Sequence, residues 1–317
     1  MNKKVLVSAL SFRRSEAAVK FLQESGCELV LSQVERALKE KELLALLPGC
    51  AAIVAGNDEI TDSVITASVP ELRIIARSGV GYNTIDLTAA HRHGVAVTNT
   101  PGANSKSVAD LTLGLMLALV RSIPRLSGKL HTGVWEKSIG GELGGKTLGI
   151  VGTGNVGREV MKRAQSFDMK IIAYDIYPRL ELTEACGVVY LPLEQVLAQA
   201  DFLSLHAPAL PETVSMINRQ TLALMKPTAF LINTARGDLV VEEDLSDALR
   251  CGRLAGAGLD AFISEPLERS CLFGLSNVIL TPHIGASTLE ASERAGLIAA
   301  EEVARVLQGL APLHSVR

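Results

Sequence analysis

Three glycines, Gly152, Gly154 and Gly157, follow the apolar run Leu148–Val151, and Asp175 ends the next apolar run 18 residues beyond Gly157. The spacing G-x-G-x-x-G suits a pyrophosphate. Gly152 permits a turn closed to other side chains. Gly154 lets the backbone approach a phosphate, and Gly157 lets a helix pack closely on its strand. That helix opens at Asn155 and Val156, where unpaired N–H groups and the helix dipole favour an anion. A carboxylate at Asp175 suits the 2′-hydroxyl of an adenosine ribose and repels a 2′-phosphate, which favours NAD over NADP. Four further segments carry polar chemistry: His206-Ala207-Pro208, Asn233-Thr234-Ala235-Arg236-Gly237, Asp260 to Pro266, and Thr281-Pro282-His283-Ile284-Gly285. Earlier in the chain, Arg77-Ser78-Gly79-Val80-Gly81 sets two glycines beside an arginine, a pattern that presents backbone N–H groups to an anion. Taken alone, that loop reads equally well as a solvated turn.

The elements that must position these residues alternate. Residues 1–97 read as strand and helix in turn, from Val5-Leu6-Val7 to Val95-Ala96-Val97, which argues for a parallel sheet with helices on both faces. Thr98 to Ala103 is a turn-rich crossing. One long apolar helix is expected from Ser105 to Lys129, followed by a loop whose Trp135 reads as core or subunit contact, core being the safer reading. From Lys146 onward the alternation resumes with six expected strands, and each polar segment follows a strand's carboxyl end. That is the rim where open α/β sheets bind ligands. A last helix is expected over residues 288–308.

Composition narrows the class. The chain has 317 residues, enough for two domains, with a net charge of −3 and no basic block, which argues against nucleic acid. The longest apolar segment, Leu111 to Val120, is too short to span a bilayer. The N-terminus reads as a first strand rather than a secretory signal. Five scattered cysteines without CxxC spacing imply neither a disulfide frame nor a metal site, and fit a reducing cytoplasm.

NTARG, LDAFISEP and TPHIGAST, downstream of the glycine series, resemble the D-isomer-specific 2-hydroxyacid dehydrogenase family over essentially the whole chain. RSGVGYNTID and NTPGANSKSVAD are most similar to its D-3-phosphoglycerate dehydrogenase branch. The resemblance implies two doubly wound parallel-sheet domains. A Rossmann NAD-binding domain (99–287) is inserted into a discontinuous flavodoxin-like substrate domain (1–98 plus 288–317). It implies that Arg236 binds and polarises a 2-oxo acid, that His283 is the general acid/base, and that Glu265 orients His283. Asp260 would bind the nicotinamide amide. Gly152, Gly154, Asn155, Val156, Gly157, Asp175, His206, Ala207, Pro208, Thr234, Ala235, Arg236, His283 and Gly285 would line the rest of NAD. Ser78, Gly79, Val80 and Gly81 would give N–H groups to the substrate carboxylate in a cleft that closes. The implied reaction is oxidation of 3-phospho-D-glycerate to 3-phosphohydroxypyruvate, with a small-molecule substrate, a homodimer, and no metal or membrane.

The resemblance thins at the phosphate. That branch often carries an arginine where this chain has Ala55-Gly56-Asn57, leaving Arg77 and Asn104 as expected partners. The missing arginine favours, as an alternative, a hydroxypyruvate/glyoxylate reductase. A third class, an NAD-sensing corepressor that binds proteins, is disfavoured because Arg236, Glu265 and His283 are all present.

Overall fold

The computed structural model describes residues 3–316. They form two compact units, one built from residues up to Asn104 together with those from Ala286 on, the other from Ser105–Gly285. The boundaries fall at 104/105 and 285/286, a few residues from the expected 98/99 and 287/288.

In the first unit, strands β1 (Lys4–Val7), β2 (Glu28–Leu31), β3 (Ala52–Ala55), β4 (Ile74–Arg77) and β5 (Ala96–Thr98) make one sheet in the order β2-β1-β3-β4-β5. All its ladders are parallel. This is the flavodoxin-like order. β3 and β4 are buried along their whole length because helices cover both faces, so they read as unbroken apolar runs. Val5, Val7 and Ile74 pack with Ala299, Ala300 and Val303 of the helix Leu289–Leu307. Leu6, Ile53 and Ile75 pack on the opposite face with Leu43 and Val64.

The second unit holds β6 (Thr147–Val151), β7 (Lys170–Tyr174), β8 (Val189–Tyr190), β9 (Phe202–Leu205), β10 (Phe230–Asn233), β11 (Gly256–Leu259) and β12 (Val278–Leu280). Their order is β12-β11-β10-β9-β6-β7-β8, again all parallel. This is the dinucleotide-binding order with one strand added. The sheet has seven strands rather than the expected six. The missed strand, β8, is two residues long at the sheet edge, too short to carry a periodic signal.

Two other expectations fail for local reasons. The helix expected over Ser105 to Lys129 is two helices, Ser105–Val120 and Ile123–His131, bent by 64°. Ser122 turns left-handed (φ 51) and Pro124 lies in the first turn of the second helix, where its missing N–H costs nothing. Trp135, expected in the core, is 79% exposed. Among the described residues no single helix is long and apolar enough to cross a membrane.

Candidate active site

All strands of the second sheet run the same way, so the turns after β6, β7, β9, β10, β11 and β12 emerge on one rim. The glycine turn follows β6. Gly152 has φ 94, and a Cβ there would lie 2.7 Å from the carbonyl of His206, so only glycine lets these two turns touch. A Cβ on Gly157 would lie 2.2 Å from the Gly152 oxygen, which explains the close seat of the helix Asn155–Gln165. A Cβ on Gly154 would meet nothing within 4 Å, and no side chain caps this helix. Open space in front of unclaimed N–H groups is what a phosphate requires.

Asp175 opens the turn after β7. Its Oδ2 accepts the Thr153 N–H (2.6 Å) and hydroxyl (2.8 Å), and its Oδ1 accepts the Tyr177 N–H (2.8 Å). Burial pushes this carboxyl up, but these three donors and Arg179 outweigh it and hold the group below its ordinary value. Asp175 is therefore anionic at neutral pH, fixed beside the glycine turn, and hostile to a 2′-phosphate. Thr153 is a site residue that the glycine spacing concealed, since it occupies a variable position of the motif.

His206 follows β9. Its Nε2 lies 2.8 Å from the Ser204 hydroxyl, while Nδ1 is buried without a hydrogen-bond partner among the described residues. Burial lowers its pKa to about 3, so it is neutral throughout the physiological range. Ala207 is half-buried beside it, and Pro208 is exposed.

After β10, the buried Asn233 folds the next turn: its Nδ2 donates to the Arg236 carbonyl (2.7 Å) and its Oδ1 accepts the Ala235 N–H (3.0 Å). Thr234 lies 3.0 Å from the Thr112 hydroxyl. Arg236 is half-buried, and among the described residues only the Ala235 carbonyl accepts from its guanidinium (2.7 Å). Several of its donors remain for a ligand. Gly237 is indispensable for another reason: a Cβ there would lie 2.0 Å from the Phe262 carbonyl carbon. The Arg236 turn and the turn after β11 touch backbone to backbone.

That second turn carries Asp260 and Glu265. Asp260 is 1% exposed. Its Oδ1 accepts the Thr281 hydroxyl (2.6 Å) and Ile284 N–H (2.8 Å), and its Oδ2 accepts the Gly285 N–H (2.8 Å). It thus ties down the turn after β12 on both sides of His283. His283 sits there with φ 52, a left-handed conformation uncommon outside glycine. Its Nδ1 lies 2.8 and 2.9 Å from the two oxygens of Glu265, and Glu265 Oε1 also accepts the Phe262 N–H (3.0 Å). A carboxylate facing Nδ1 fixes the proton there, so in the neutral ring Nε2 is the acceptor. Both side chains remain partly open to solvent.

In the first unit, the Arg77 loop follows β4. Arg77 is 9% exposed, and its guanidinium donates to Asn57 Oδ1 and to the Ser78 carbonyl. A Cβ on Gly79 would lie 2.5 Å from it, so Arg77 is packed beneath its own loop. The N–H groups of Ser78 and Gly79 are spent on Ala55 and Arg77 carbonyls (2.9 Å each). Among the described residues those of Val80 and Gly81 have no partner. Asn104 is half-buried in the turn just before the helix Ser105–Val120.

Residues 113–285 match the model of the D-isomer specific 2-hydroxyacid dehydrogenase NAD binding domain. The chain is 43% identical over 298 residues to the D-3-phosphoglycerate dehydrogenase of Methanocaldococcus jannaschii, covering 93% of this chain and 56% of that protein. It thus spans little more than half the length of that curated relative. Among solved structures, the TT0316 protein from Thermus thermophilus matches with TM-score 0.89 and 36% identity, over 99% of this chain and 100% of that one. The D-lactate dehydrogenase with NAD+ from Lactobacillus jensenii matches with TM-score 0.84 and 28% identity, over 99% of each chain.

Proposed function

Because the chain belongs to the D-isomer specific 2-hydroxyacid dehydrogenase family, we propose that it transfers hydride between NAD and a D-2-hydroxy acid. The substrate proposed is 3-phospho-D-glycerate, oxidised to 3-phosphohydroxypyruvate, after the name carried by relatives about 43% identical. The observation that carries the reading is His283 Nδ1 seated on both oxygens of Glu265, next along the rim from Arg236.

The residues divide the work. Gly152, Gly154 and Gly157 leave room and N–H groups for the cofactor's pyrophosphate, and Asp175 takes the adenosine ribose. NAD supplies the hydride acceptor; the protein orients and polarises. Arg236 holds the substrate carboxylate and polarises the reacting oxygen with a charge it never loses. His283 Nε2 removes the hydroxyl proton in oxidation and returns it in reduction. Glu265 stabilises the imidazolium formed in between. Asp260 acts chiefly by holding the His283 turn; as a carboxylate with three acceptances it keeps one lone-pair position for the nicotinamide amide. The loop Ser78–Gly81 takes an anionic group of the substrate on the N–H groups of Val80 and Gly81, above the charge of Arg77. Asn104 is the other polar residue of that unit assigned to the substrate.

Turnover with NADH tests the substrate. 3-Phosphohydroxypyruvate is expected to exceed hydroxypyruvate by about tenfold or more in kcat/KM, some 1.4 kcal/mol of transition-state preference. A preference for hydroxypyruvate or glyoxylate would instead make the absent arginine at Ala55 the informative residue, and the phosphoglycerate reading would fail.

The chain is also proposed to act as a homodimer. Ile123, Leu130, Val134, Trp135 and Ile139 are all exposed along one segment, with Ile139 at 101%. So many large exposed apolar side chains close together in sequence support a subunit contact there. Sedimentation is expected to give a dimer and Trp135→Glu a monomer; a monomeric parent would refute the assignment.

A further inference from the structure

We propose that Asn99 is a positioning residue, held by the chain's own tail, that aims the two free N–H groups of the loop after β4 at the substrate's anionic group. The proposal rests on the reading of that loop given above.

A trans peptide is planar, with its C=O and N–H pointing opposite ways. Fixing one therefore aims the other. The Gly79 carbonyl accepts the Thr100 N–H (3.0 Å), which turns the Val80 N–H to the far side of the same peptide. The Val80 carbonyl accepts Asn99 Nδ2 (2.8 Å), which does the same for the Gly81 N–H. Val80 and Gly81 are the residues whose N–H groups lack a partner among the described residues, whereas Ser78 and Gly79 have spent theirs. Two successive peptides are thus held from behind by the Asn99-Thr100 crossing, with their donors facing away from it.

The crossing is held in turn. The Asn99 N–H donates to the His314 carbonyl (3.3 Å), Thr98 bridges Ser315 in antiparallel fashion, and the Val316 N–H donates to the Val97 carbonyl (2.8 Å). The tail is pinned to the helix Leu289–Leu307 by two side chains one turn apart. Glu302, 1% exposed, accepts the N–H groups of Leu313 (3.0 and 3.1 Å) and His314 (3.0 Å). Arg305 donates twice to the Ala311 carbonyl (3.0 and 3.1 Å). A buried carboxylate is costly unless it is hydrogen-bonded, and the acceptances of Glu302 come from the tail's N–H groups, so the tail is held where they meet it. Helix, tail, Asn99 and loop form one continuous line of hydrogen bonds.

Asn99→Ala removes the donor to Val80 and keeps the backbone; Glu302→Ala releases the tail. Both are made in the full chain. KM for the 2-oxo acid is expected to rise about fivefold to tenfold in Asn99→Ala, the effect of losing one oriented hydrogen bond, and less in Glu302→Ala. kcat stays within about twofold, as for a contact made equally to ground and transition states. The Kd for NADH does not change. Amide hydrogen exchange at Gly79 and Thr100 quickens in both variants. An unchanged KM in a folded Asn99→Ala protein overturns the proposal. So does a loss of thermal stability in which kcat and NADH affinity fall while KM rises, which marks a merely structural tail. If the parent turns over no 2-oxo acid, the functional reading has failed, and exchange at Gly79 and Thr100 alone decides whether tail and loop are coupled.

Discussion

Replacing His283 with asparagine lowers kcat for reduction of the 2-oxo acid by about 10²- to 10⁴-fold, the usual contribution of a positioned general acid. Asparagine is the informative choice because position 283 has φ 52. Asparagine tolerates that conformation, whereas alanine would add backbone strain to the lost proton donor. NADH affinity is expected to persist, because the glycine turn and Asp175 lie after other strands. Glu265→Gln keeps the shape but removes the charge facing Nδ1, and a smaller loss of roughly tenfold is expected from one charge-assisted hydrogen bond. His206→Asn is the control. Burial holds His206 neutral down to about pH 3, so this variant leaves the shape of the pH–rate profile between pH 5 and 9 unaltered. Steady-state NADH oxidation across that range reads all three. A His283→Asn enzyme retaining more than a tenth of the parent kcat would sink the assignment.

The second large effect is expected at the Arg236 turn. Arg236→Lys keeps the charge but loses the planar fork, and kcat/KM should fall by about 10²-fold, the worth of one or two charged hydrogen bonds. Gly237→Ala should match it without touching substrate chemistry. Its new Cβ would stand 2.0 Å from the Phe262 carbonyl carbon and 2.3 Å from the Ile263 nitrogen. One backbone must retreat, and these two carry Arg236 and Glu265. A displacement of about 1 Å at a reacting group costs on the order of 10²-fold. Fluorescence titration with NADH should show binding preserved in both variants while turnover collapses. Normal turnover in Gly237→Ala would mean that the two turns do not fix each other.

Much of this organisation is written locally. Strands buried on both faces read as short apolar runs, and glycine or proline punctuates their ends, so both parallel sheets and the rim that carries the polar turns are legible. The misses have local causes too. β8 is too short to announce itself. The long apolar run hid a bend at Ser122, although Pro124 marked it. Trp135 was assigned to a core by residue type alone, and exposure depends on what else packs there.

By itself the sequence determined the fold class, the glycine turn with its acid, and the position of Arg236, Glu265 and His283 in turns after strand ends. Residue type, spacing and turn propensity act over a few positions, and these features need nothing more. Only the tertiary structure decided which side chains serve others. Asp260 lies beneath the His283 turn, Arg77 beneath its own loop, and Thr153 on Asp175. Glu302 reaches the crossing only through the tail. Each of these contacts joins residues far apart or hidden within a motif, and a hydrogen bond's partner is set by where folding brings the donor, not by the donor's neighbours in the chain.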